Sequence, residues 1–243
     1  MSKLVLAWQN PRDRMWVPVG MLEEETETFK FYFLNGVRKV SQNGHFAPLY
    51  SMGQLDEVYT SDTLFPLFKN RLLPKSRPEY KDYLNWLNLN EDASQVQELA
   101  LTNGLKLTDS FQLYALPKEK NGKYEMHFFV HGIQYLSRCA QERIFQLKAN
   151  EELRVMKDFQ NDHDPQALCI RADSPTEIIG HIPKIYAEEL APHLTAPDSV
   201  KVSVIQVNQD APSQLQLLCK LETHNLSGYA PFTAENYQPY RKD

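Results

Sequence analysis

Leu153-Arg154-Val155-Met156-Lys157 is followed by Asp158-Phe159-Gln160-Asn161-Asp162-His163-Asp164-Pro165 and then by Ala167-Leu168-Cys169-Ile170. Two short runs with apolar residues flank a turn rich in Asp and Asn, which bond their own backbone and tolerate tight bends. This is the pattern of a strand, a polar turn and a second strand. Glu177 to Ile182 predicts a third strand. Ile185 to Leu194 predicts an amphipathic helix, with Pro183 near its start. On the other side, Tyr124 to Tyr135 predicts a strand kinked at Gly132, and Ser137 to Lys148 is compatible with a helix. Val200, Val202 and Val204 alternate with Lys201 and Ser203, and Leu215, Leu217 and Leu221 continue the period of two. Six short strands and two helices in this length predict a small closed or half-closed antiparallel β-barrel.

The chain has 243 residues, 42% of them apolar, and a formal charge of −5. That supports one large core or two small ones, and it gives no bulk electrostatic sign of a nucleic-acid binder. Any such site has to be a local patch. Cys139, Cys169 and Cys219 are odd in number and far apart, which fits reduced thiols in a cytoplasmic protein. No apolar run approaches a membrane span.

In the first half, Lys3–Trp8, Arg14–Met21 and Phe29–Leu34 predict strands, with turns at Gln9–Asp13 and Asn35-Gly36. Leu64 to Leu73, Tyr80 to Leu87 and Ser94 to Leu101 carry helical spacing, and Asn103-Gly104 is a stop signal. Between Leu67 and Lys81 stand Lys69, Arg71, Lys75, Arg77 and Lys81, with Glu79 the only acid. This is either a solvated face or a patch for phosphates or an acidic partner. Upstream, Glu23, Glu24, Glu25 and Glu27 are available to pair with it. Pro117 to Lys123 is a linker or a hairpin turn. We place the boundary there, giving domains at 1–122 and 123–222 and a tail at 223–243. The tail's Tyr229, Phe232, Tyr237 and Tyr240 either pack back on the body or dock a partner.

Two resemblances follow from particular residues. Val19-Gly20-Met21-Leu22, the strand Phe29–Leu34, the run Leu64 to Pro74 and Thr108 to Leu113 resemble the small N-terminal subdomain of HipA-type kinases. The likeness covers residues 3–115. No kinase loop, catalytic Asp or metal-binding Asp follows. The resemblance thus implies an accessory piece, an antitoxin-like or regulatory partner of a separately encoded HipA-type kinase.

The second resemblance is carried by Phe129-x-His131-Gly132-x-x-Tyr135, by Leu153-x-x-x-Lys157-Asp158-x-x-Asn161-x-x-Asp164-x-x-Ala167-Leu168-x-Ile170, by Ile179-Gly180-His181-Ile182-Pro183-Lys184 and by Leu190-Ala191-Pro192-x-Leu194. Residues 126–220 are similar to a HIRAN domain, which implies an OB-like barrel that grips the 3′ end of single-stranded DNA. By this resemblance Asp164 takes the 3′-hydroxyl, Tyr135 and His163 line the base pocket, and His181 and Lys184 hold the backbone. Asn161 shares the turn with Asp164. The DNA-gripping members carry Arg-Tyr-Tyr where this chain has Gln134-Tyr135-Leu136, so one cation and one ring are missing. From Phe128 to Leu194 seven Lys and Arg stand against ten Asp and Glu, which predicts a modest affinity specific to ends.

The residues support such chemistry on their own terms. A carboxylate accepts from a hydroxyl, a ring stacks on a base, and cations or amides take a phosphate. Simpler roles compete: Asp164 and Asn161 as turn formers, and His181 as a satisfied core histidine. Asp162-His163-Asp164 is a poor metal set, because three consecutive residues rarely converge on one ion. No nucleophile elbow, HExxH or spaced carboxylate set appears. The expectation is an α+β protein: an N-terminal mixed sheet with helices, then an OB-like barrel with two helices. It is expected to be a non-enzymatic adaptor for single-stranded DNA ends without a cofactor. A protein-interaction module is the competing class, and a nuclease or hydrolase a weaker one.

Overall fold

The structure, a computed structural model, describes residues 2–242 except 27, 42–45, 47, 48, 50, 107, 163, 195, 197, 198, 225 and 227. The chain divides into two compact units. The first holds residues 1–77, 92–116 and 232–243, and the second residues 78–91 and 117–231. The cut thus falls at 116/117, before the polar stretch rather than inside it, and both units are built from separated segments.

In the first unit, β1 (Ser2–Gln9), β2 (Trp16–Glu24), β3 (Phe29–Phe33), β4 (Val58–Ser61) and β5 (Phe111–Ala115) form one sheet in the order β4-β3-β2-β1-β5. Every pairing is antiparallel, so the expected mixed sheet is corrected. β1 to β4 pair in chain order, and β5 returns along the free edge of β1 in the opposite sense. The helices are short: α1 (Val37–Ser41), α2 (Pro66–Lys69) and α4 (Gln95–Thr102), the last closed by a Ser94–Gln97 capping box. Leu4, Leu6, Leu22, Phe31, Phe33, Phe68, Val96, Leu99 and Leu113 make the core. Each such buried side chain contributes about 1.5–3 kcal/mol, and Phe31 sits 5.2 Å from Phe33 and 5.6 Å from Phe68. The rings of the tail serve both units internally. Tyr240 packs on the first unit's core and lies under Arg38, while Tyr229 meets Tyr124 edge-on in the second unit.

The basic run from Lys69 to Lys81 is not one feature. Arg71 is a buried core residue. Its side chain is 1% exposed, and its guanidinium donates to the carbonyls of Leu67, Gly104 and Phe111 and to Asp109 Oδ2 at 2.6 Å. It is therefore withdrawn from the patch. Lys69, Lys75 and Arg77 are exposed in the first unit, and Lys81 belongs to the second. Nor do the upstream acids pair with the run. Glu23 takes Lys3 and Tyr32, Glu24 accepts from Ser94, and Glu25 takes Lys30; Glu27 lies outside the described residues.

The second unit starts with α3 (Tyr80–Trp86), whose last carbonyls accept from Gln206 and Asn208. β6 (Lys118–Lys120) and β7 (Lys123–Phe129) are a hairpin, so the polar stretch is a turn and not a linker. Its two central residues, Asn121 and Gly122, both have positive φ (54° and 73°), the backbone that a tight hairpin needs. α5 (Arg138–Ile144), β8 (Glu152–Lys157), β9 (Leu168–Ala172), β10 (Glu177–His181), α6 (Lys184–Leu190), β11 (Val200–Val207) and β12 (Leu217–Thr223) follow. The sheet order is β10-β9-β8-β11-β12-β7-β6. It is antiparallel throughout and does not close, which corrects the closed form of the expected barrel. Among the described residues a single bridge brings its ends together, with His131 and His181 exchanging both backbone hydrogen bonds at 2.9 Å. At Gly132 (φ 82°) the chain turns away into a 3-10 turn, Ile133–Tyr135, and the ladder cannot continue.

That bridge depends on Gly180. Its φ is +131°, and an added Cβ would stand 2.4 Å from Val130 Cγ1 and 2.6 Å from the His131 carbonyl. Backbone cannot yield cheaply. Gly180→Ala is therefore expected to lose about 2–4 kcal/mol of stability, to be measured as a fall in the urea midpoint.

Candidate nucleic-acid interface

The loop between β8 and β9 is held by its own side chains. Asp158 accepts from Gln160 N at 3.3 Å, from Asn161 Nδ2 at 3.2 Å and from His181 Nε2 at 3.0 Å. Asn161 Oδ1 accepts from Asp164 N at 3.0 Å, and Asp164 Oδ1 from Gln166 N at 3.0 Å. One oxygen of Asp164 thus forms the turn. Its other oxygen has no partner among the described residues. The hydrogen bond from His181 is the main reason that the Asp158 carboxyl sits below its ordinary range. His181 is therefore a satisfied histidine that ties β10 to the loop. Desolvation and the neighbouring His181 hold His131 down at about 4, so that ring is neutral at neutral pH.

Lys184 opens α6, with Nζ 3.8 Å from Glu188 Oε1. Glu188 is raised to about 7, first by burial and then by Asp164 and Glu189, with Lys184 opposing. The charges of Asp164 and Lys184 thus act on the same carboxyl with opposite signs. Tyr135 is 84% exposed at the end of the turn that starts at Gly132. Gly132 lies against the His181 ring, since a Cβ there would meet Nδ1 at 3.5 Å. Gln134 is exposed on the same turn and faces Ser213. His163 lies outside the described residues.

Sequence reasoning missed three groups. Asp158 anchors the loop. Glu188 pairs with Lys184 and is raised in part by the charge of Asp164. Phe159 is 88% exposed although aromatic. An aromatic residue in an otherwise polar turn was the available signal for the last.

Glu188 makes a pH dependence testable. Its folded-state value exceeds the ordinary 4.5, so the folded chain holds that proton more tightly. The resulting stability is present at low pH and fades as pH rises from about 4.5 to about 7. Glu188→Gln is expected to flatten that part of a stability-against-pH curve recorded by urea unfolding.

The open antiparallel sheet thus carries at one end a braced polar loop, the start of α6 and the exposed ring of Tyr135. Residues 123–224 match the family model of the HIRAN domain. Two solved structures are similar over 42% of the chain. One is a protein from Lactobacillus plantarum, 14% identical with 97% of that chain covered and a TM-score of 0.33. The other is the HIRAN domain of human HLTF, 16% identical with 74% of that chain covered and a TM-score of 0.32. Among curated proteins none matches. Among the described residues no three His, Cys, Asp or Glu side chains converge as metal ligands, and no helix is long and apolar enough to cross a membrane.

Proposed function

We propose that this chain is a nucleic-acid-binding adaptor whose HIRAN domain holds the 3′ end of single-stranded DNA. The observation that carries the reading is the match of residues 123–224 to the HIRAN family model, beside a turn that presents Asp164 through its bond to Gln166 N. The turn presents the acid with one oxygen to accept a terminal hydroxyl, and the Lys184 ammonium exchanges its pairing with Glu188 for a phosphate. Tyr135 supplies a ring for the last base, and Phe159 a second one, in place of the ring absent at Leu136. His181 acts by bracing Asp158 rather than by touching the strand. Catalysis is not part of the proposal.

The test is a fluorescence-polarisation titration with single strands ending in a 3′-hydroxyl or a 3′-phosphate. The hydroxyl end is expected to bind more tightly, since a phosphate brings charge to Asp164. Equal affinity overturns end recognition. No affinity for either overturns DNA binding and favours a protein-docking role for exposed Tyr135, Met156, Phe159 and Ile178. For the first unit, we infer from the sequence resemblance alone that a HipA-type kinase is the partner to seek by co-purification.

A further inference from the structure

A groove of about 500 Å³ runs over β8, β9 and β11, lined by Arg154, Met156, Arg171, Lys201 and His224, among others. The strand register explains its charge. Arg154 pairs directly with Arg171, and the pairing of Val202 with Leu153 sets Lys201 beside Arg154. Three neighbouring strands thus present three cations in one row on one face. Like charges directly opposite each other cost stability. A single carboxylate, Asp173, bridges both guanidiniums at 3.6 and 2.9 Å, and Lys201 is paired with Glu152. One acid shared by two arginines leaves the row with a net positive charge. The Arg154 and Lys201 side chains remain 56% and 45% exposed.

The row shares its face with His181, which braces the loop that carries Asp164. Met156 and His181 both pair with Cys169, two positions from Arg171 on β9. Side chains two apart on a strand point the same way, so His181, Met156, Arg154 and Arg171 line one surface. Along β8, Arg154 and Asp158 are separated by about 13 Å at the usual strand rise, a span that a few nucleotides cover. Met156, 40% exposed, lies between them.

We propose that this groove is a second anion site, which takes the sugar–phosphate backbone of the strand behind its 3′ end. The inference extends the proposed end recognition. Arg154, Arg171 and Lys201 exchange their carboxylate partners for phosphates, and Met156 supports a base.

The test compares a dinucleotide with a decanucleotide on the full chain, native and Arg154→Gln/Lys201→Gln. Both positions are exposed, and circular dichroism checks that the fold is kept. In the native protein the decanucleotide is expected to bind more tightly. In the double variant that gain disappears, and the slope of log affinity against log salt falls by about 1.4, the share of two phosphate contacts on a single strand. Dinucleotide binding is unchanged. A native protein that binds both lengths equally, or a double variant that keeps the gain and the slope, overturns the groove. A 3′-phosphorylated decanucleotide separates the two proposals. If it binds as well as the hydroxyl form but still depends on Arg154 and Lys201, the groove stands and end recognition fails. If no strand binds, both fall.

Discussion

Replacing Asp164 by asparagine is expected to lower affinity for a 3′-hydroxyl end by about 10- to 100-fold, the worth of one hydrogen bond to a charged group. Asparagine is the informative choice because Asp164 has two jobs. Its Oδ1 accepts from Gln166 N and shapes the turn, and an asparagine oxygen does that equally well. The remaining atom becomes an amide nitrogen, which donates and cannot accept from a hydroxyl. The loop therefore stays folded while the proposed contact is lost. Alanine removes both functions, so comparison of Asn with Ala divides turn formation from recognition. The readout is the ratio of 3′-hydroxyl to 3′-phosphate affinity, which should collapse towards one in both variants. A ratio unchanged in the asparagine variant would return Asp164 to the role of a turn former.

Arg71→Met should unfold the first unit more readily, with a cost of about 3–5 kcal/mol. Methionine replaces the stem but none of the donors. The carbonyls of Leu67, Gly104 and Phe111 lose a partner, and Asp109 loses its cation. Buried acceptors left unpaired carry the full desolvation penalty. Asp109 is partly exposed, so water relieves some of its share. Lys69→Ala, two positions away on an exposed site, should stay within about 0.5 kcal/mol of the native chain. Urea unfolding of the two variants distinguishes a core arginine from a member of a surface patch.

Arg71 also marks where sequence reasoning stops. A cation among cations carries no sign of burial. Its partners, Gly104, Asp109 and Phe111, are more than thirty positions away, and only the fold brings them close. The same limit hid β4, whose four residues at a sheet edge have almost no buried face. It also hid the salt link of Lys184 to Glu188, since an i,i+4 pair on a helix looks like ordinary surface decoration. What was legible was local. The strands β8 and β9, the polar turn at Asp158 and the block from Ile179 to Lys184 carried a resemblance to the HIRAN domain, and the family model matches the same region. Closure of the sheet was not legible. Strand count predicts a barrel, but the ladder ends where Gly132 turns, and among the described residues the His131–His181 pairing alone spans the gap.

The interleaving of segments has an evolutionary and practical corollary. Residues 78–91 leave the first unit to supply the carbonyls that Gln206 and Asn208 require, and residues 232–243 come back to lay Pro239 beside Leu34. Neither unit is a cassette that one crossover could transplant. An excised fragment 123–224 would leave Gln206 and Asn208 without those acceptors, and a C-terminal deletion at 231 would weaken the half of the molecule that begins at the other terminus.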